Sequence, residues 1–84
     1  MSKYVKYVIK VITEIDDNCF LTEYYKGIDE NDDVILTDNL AEAAIFEEEE
    51  EEVCESVIEH LCIVLDYMPR TIEKQEMFIV NSKL

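Results

Sequence analysis

Asp29-Glu30-Asn31-Asp32-Asp33 groups oxygen ligands as a calcium loop would. With Asp29 at position 1 of such a loop, Asn31 and Asp33 fall at positions 3 and 5, where ligands belong. The sixth position is then Val34, where the sharp turn requires Gly, and the twelfth is Leu40, where a bidentate Glu is needed. This segment is expected to be a solvated acidic loop. Cys54, His60 and Cys62 lie in one helical stretch, and the two cysteines are separated by about 12 Å of axial rise. A tetrahedral zinc ion with ligands at about 2.3 Å cannot join them. No metal or cofactor is expected.

Acid–base or nucleophilic catalysis needs an oriented pair of groups, or two groups held in contrasting environments. His60 is the single histidine and Gly27 the single glycine, so neither a charge-relay pair nor a phosphate-cradling loop is present. The carboxylates are numerous, but on an exposed surface they share one environment. The chain is not expected to be an enzyme.

The distribution of charge is more informative. Twenty-one acidic side chains face seven basic ones in 84 residues, a formal net charge of −14. Between Gly27 and Pro69 there are fifteen acidic residues and no Lys or Arg, whereas the cations are confined to Lys3, Lys6, Lys10, Lys26, Arg70, Lys74 and Lys83. Such a balance argues against direct binding of nucleic acid, whose phosphates demand cations, and against an anionic membrane surface. A field of one sign over half the molecule steers a basic partner instead. The longest apolar run, Leu61 to Leu65, is far shorter than the about 18–20 residues that span a bilayer. Three cysteines, an odd number, with no secretory segment before them, suggest reduced thiols and a cytoplasmic location.

The elements that must position these groups form one domain over residues 1–84. Tyr4 to Ile15 alternates with period two, placing Val5, Tyr7, Ile9 and Val11 on one apolar face of a first strand. Asp16-Asp17-Asn18 supplies a turn, Cys19 to Lys26 a second strand ended by Gly27, and Val34 to Leu36 a third. Asp38 or Asn39 can cap one or two helical turns over Leu40–Ala44, followed by an extended or kinked Ile45-Phe46. A long helix is expected from Glu48 to Tyr67, with Val53, Cys54, Val57, Ile58, Leu61, Cys62 and Leu65 as its apolar stripe and Pro69 as its stop. Arg70 to Val80 completes the chain as a last strand. The fold class is α+β: a twisted antiparallel β-β-β-α-β sheet with one long acidic amphipathic helix on one face. Its expected core is Val5, Tyr7, Ile9, Val11, Leu21, Ile35, Val57, Ile58, Leu61 and Leu65.

At 100° per residue, Glu48, Glu52, Glu55, Glu59 and Asp66 share one sector of that helix, opposite the apolar stripe. Successive carboxylates at i, i+4 stand about 6 Å apart along the axis, a spacing close to that of phosphates along a strand. Asp29, Glu30, Asp32 and Asp33 offer a second acidic edge. The hairpin followed by Ile35-Leu36-Thr37-Asp38-Asn39-Leu40-Ala41-Glu42-Ala43-Ala44-Ile45-Phe46 and the glutamate run resembles small phage-encoded accessory proteins. Very acidic members of that group are similar to anti-CRISPR and anti-restriction inhibitors. The resemblance implies occupation of the nucleic-acid groove of a host enzyme, with no catalytic residue to carry over. The expected function is a non-enzymatic inhibitor of a basic nucleic-acid-binding protein, a CRISPR effector nuclease or another defence enzyme. The alternative is a small interaction module, read through its sheet or sheet edge, whose acidity serves solubility only. Pairing of two chains through an edge strand stays open at this level.

Overall fold

The computed structural model describes residues 2–81 of the chain; Lys83, one of the seven cations, lies outside them. The architecture is α+β, a five-stranded antiparallel sheet with one helix packed on one face. The strands are β1 (Ser2–Asp16), β2 (Cys19–Ile28), β3 (Val34–Thr37), β4 (Phe46–Glu47) and β5 (Arg70–Asn81), and the helix is α1 (Glu51–Val64). β1 is central. Along one side it pairs with β5 from Ser2↔Asn81 to Thr13↔Arg70. Along the other it pairs with β2 from Lys10 to Asp16 and with β4 at Lys6 and Tyr7, while β3 adds to the outer side of β2.

Two acidic turns close the hairpins by local chemistry. Asn18 adopts a positive φ of 63°, a region that Asn tolerates, and the register slips between Glu14 and Asp16. Between β2 and β3, the Asp29 carboxylate accepts from the backbone N–H of Asn31 at 2.8 Å and of Asp33 at 3.0 Å, while Asp32 takes the left-handed φ of 65°. Gly27 does not end β2; it sits at a register irregularity inside the strand, at a φ of 158° that suits glycine.

After β3, Asn39 rather than Asp38 caps the 3₁₀ turn Leu40–Glu42, accepting from Ala41 N–H at 3.0 Å. Phe46 then pairs with Tyr7 as the short β4, an additional strand inside the segment expected to be merely extended. The helix is shorter than its apolar periodicity suggests. Glu47 and Glu50 form a reciprocal capping box that closes a 3₁₀ turn over Glu48–Glu50, so the α-helix begins at Glu51. At the other end the helix stops at Val64, five residues before Pro69. Arg70 secures this end: its guanidinium donates to Leu65 O and to Thr13 Oγ1, each at 3.0 Å, and lies over the Tyr67 ring.

The core lies between α1 and the odd-numbered face of β1. Tyr7, Ile9, Val11, Tyr25, Cys54, Leu61 and Leu65 are buried together, with Val5, Val57, Ile58, Leu36 and Phe46 packed partly buried around them. Leu21 and Ile35 do not belong to this core: both are exposed, as are Val53 and Cys62 on the helix. Leu21 shares the helix side of the sheet with Thr13, but it stands on β2, outside the strip of β1, β4 and β5 against which α1 packs. Ile35 faces away because Val34 and Leu36 point inward on either side of it.

Burial pushes the Cys54 thiol above its ordinary value of 9.0 and the Tyr7 and Tyr25 phenols above theirs of 10.0. Lys74, held by hydrogen bonds to Glu51 and Glu55, is also raised from its ordinary 10.5. Each of these groups binds its proton more tightly folded than unfolded. Their contribution is therefore complete below the unfolded values and declines as the pH climbs through and beyond the range 9.0 to 10.5. Urea midpoints should fall from pH 8 to pH 11; a flat profile would contradict the burial of these groups.

Candidate functional site: the acidic flank of the helix

The carboxylate sector expected around the helix divides into three parts in the structure. Glu52, Glu55 and Glu59 lie within α1 and fall in a sector about 60° wide. Glu48 stands at the head of this row in the 3₁₀ turn, and Asp66 lies beyond the last helical residue. The helix thus carries three of the five proposed side chains, and the other two extend the row from its flanking turns. All five are exposed.

The row borders β5, and this changes the meaning of one member. The Lys74 ammonium donates to Glu55 Oε2 at 3.0 Å and to Glu51, and sits 4.9 Å from the centre of the Tyr7 ring. Glu55 is therefore partly neutralised by the sheet beneath it. Lys6 makes a second ion pair, with Glu47 at 2.7 Å, and Lys26 a looser one with Glu42 at 3.6 Å. Among the described residues, Glu48, Glu52, Glu59 and Asp66 take part in no ion pair. They leave an uncompensated strip of carboxylates running the length of the helix.

The second acidic group is a separate feature at the β2–β3 turn. Asp29 spends its carboxylate on its own loop, which leaves Glu30, Asp32 and Asp33 as its solvent-facing charges. Asp32 and Asp33 border a hollow of about 310 Å³ whose other walls are Val34, Val64, Leu65 and Tyr67. This places them near the C-terminal end of α1, on the flank away from Lys74. Asp29→Ala should lower stability by about 1 kcal/mol by orphaning two backbone donors, as loss of a helix cap does, measurable by urea denaturation. Glu30→Gln, with no such bonds, should leave the midpoint unchanged.

Among the described residues, no group of three or more His, Cys, Asp or Glu side chains is arranged to hold a metal ion. His60 and Cys62 are exposed, whereas Cys54 is enclosed in the core. No helix is long and apolar enough to cross a membrane. The sequence expectations overlooked Tyr25 as a core anchor and Lys74 as the residue that divides the acidic row; Cys54, expected in the helix's apolar stripe, is buried in the core. Comparison with family models, with curated proteins and with solved structures found no match to this chain.

Proposed function

We propose that the protein is a non-enzymatic inhibitor that binds a basic nucleic-acid-binding protein by imitating the charge of DNA or RNA. A CRISPR effector nuclease or another host defence enzyme is the target class, encountered in the host cytoplasm. The observation that carries this reading is the strip Glu48, Glu52, Glu59 and Asp66, exposed on one flank of a helix and without an ion-pair partner among the described residues. An amphipathic helix places its polar residues on this face in any case; what favours recognition over mere solubility is that no Lys or Arg is interspersed with the carboxylates between Gly27 and Pro69.

The mechanism follows from the chemistry of the surfaces. Arg and Lys that hold phosphates would pair with these carboxylates in charge-assisted hydrogen bonds, and nucleic acid would be excluded by competition. Like charges at i, i+4 cost the helix only a few tenths of a kcal/mol per pair. The capping box and the Lys74 pairs help to hold the row in place.

Capture from a host lysate at low and high salt tests the reading. Recovery of nucleic-acid-binding enzymes that wash off with salt, and that free nucleic acid displaces, is the expected result. Capture that salt and nucleic acid leave untouched would favour the interaction module instead.

A further inference from the structure

We infer that the outer edge of β5 takes up an extended basic segment of the partner protein as an added antiparallel strand beneath the acidic flank of α1. The basic character of that segment rests on the function proposed above; the open edge does not. Among the described residues β5 pairs with β1 alone, so its other side is unpaired. Hydrogen-bond phase identifies the free groups. Glu14 N–H donates to Pro69 O at 3.0 Å, and the register Thr13↔Arg70 sets these two residues opposite each other. Hydrogen-bonded and non-bonded pairs alternate along an antiparallel ladder. Thr71, Glu73 and Gln75 therefore turn their backbone groups toward β1, while Ile72, Lys74 and Glu76 turn theirs outward. Such an edge is a template for another strand.

The side chains above this edge set what the strand must carry. Ile72, Lys74 and Glu76 pair with Val11, Ile9 and Tyr7, so they and any residue opposite them stand on the helix side of the sheet. Lys74 reaches Glu51 and Glu55 from β5, which turns the carboxylate flank of α1 toward the edge. Glu76 belongs to the same acidic end. The Tyr7 phenol is raised first by burial and then by Glu51, Glu76 and Glu48, with Lys74 opposing them. At the other end of the edge, Cys62, Leu65, Met68 and Ile72 wall a hollow of about 280 Å³. Arg70 also borders it, but is engaged by Leu65 O and Thr13.

Charge selects the occupant. Over its described side chains β5 itself is balanced, Arg70 and Lys74 against Glu73 and Glu76. The surplus lies on the flank above it, where Glu48, Glu52 and Glu59 make no ion pair among the described residues. Two copies joined β5 to β5 would bring two such flanks together. An antiparallel strand from a basic partner instead sets Arg or Lys opposite Glu76, an uncharged residue opposite Lys74, and an apolar side chain opposite Ile72, at the hollow. Read in its own direction, that is Arg-x-Thr-x-Leu.

Amide hydrogen exchange of the full chain tests this, with a peptide of about ten residues built around Arg-Val-Thr-Lys-Leu as the probe. At about 1 mM peptide, exchange at Ile72, Lys74 and Glu76 should slow at least about tenfold, while Glu73 and Gln75, already bonded to β1, change little. A peptide with Arg and Thr exchanged, which sets the cation opposite Lys74, should bind at least about fivefold more weakly. Ile72→Pro removes an outward donor without breaking the ladder to β1, and should weaken binding at least about tenfold. Glu76→Lys, at an exposed position, is the second variant should the proline loosen the core, and it should weaken binding too. Absence of the alternating protection, equal binding of both peptides, or indifference to both variants would overturn the proposal. So would a free chain that already protects the three outward amides in a dimer, which would give the edge to a second copy. A captured nucleic-acid-binding enzyme held equally by parent and by both edge variants would overturn this inference alone. Edge binding of the peptide by a chain that captures no such enzyme would overturn the proposed target class alone.

Discussion

Leu61→Ala is expected to destabilise the protein by about 2–5 kcal/mol. Leu61 is fully buried, at 0% exposure, in the cluster with Ile9, Val11, Cys54 and Leu65. Truncation removes the transfer energy of its side chain and leaves a cavity between helix and sheet. A domain of 84 residues has a total stability of about 4–13 kcal/mol, so much of the margin disappears. The thermal midpoint should drop by about 8 °C or more. Val53→Ala is the matched control, since Val53 is 53% exposed on the same helix and should change stability by no more than about 0.5 kcal/mol. Equal losses from the two variants, read by urea denaturation, would mean that α1 does not bury the side assigned to it.

Much of that arrangement is legible in sequence because β1 and α1 have strong and different periods. Val5, Tyr7, Ile9 and Val11 follow the strand period, and Cys54, Ile58, Leu61 and Leu65 the helical one; both sets meet in the core. The misassigned positions are those where tertiary placement, not periodicity, decides. Leu21 has the right parity but stands on a strand the helix does not reach, and Ile35 is displaced by the phase of its short strand. Six consecutive glutamates offer no contrast from which to place a helix start, so the capping box that delays α1 to Glu51 is visible only in the folded chain.

The acidic row was likewise legible as an angular pattern. Its division was not, because Lys74 reaches Glu55 from 19 residues away. The Asp29 carboxylate shows a similar limit: composition marks an acidic edge, while the backbone geometry turns that residue inward upon its own turn. The even positions of β1 mix Lys6, Lys10 and Glu14 with Val8 and Ile12. Only the cross-strand register shows that Phe20 and Tyr24 join them on the face opposite the helix, where Val8 is fully buried.

Replacing Glu48, Glu52 and Glu59 with Gln and Asp66 with Asn, while keeping Glu55, should abolish inhibition of the target and leave the fold intact. Glu55 is spared because Lys74 uses it to bind the helix to β5, and its loss would mix stability with recognition. The four chosen side chains are exposed and make no ion pair among the described residues. Removing them lowers repulsion along the helix, and Gln has nearly the helix propensity of Glu, so the melting temperature should hold or rise slightly. For binding, each lost carboxylate strands an Arg or Lys of the partner, costing about 1.5–3 kcal/mol where the contact is buried and far less at a rim. Two buried contacts already weaken affinity by about two to four orders of magnitude. The residual binding should also lose most of its salt dependence, which separates charge mimicry from a contact made through the sheet. Titration of parent and variant against the captured target at physiological salt decides the matter. Undiminished affinity in the fourfold variant would remove the helix flank as the binding surface and return the partner to the sheet.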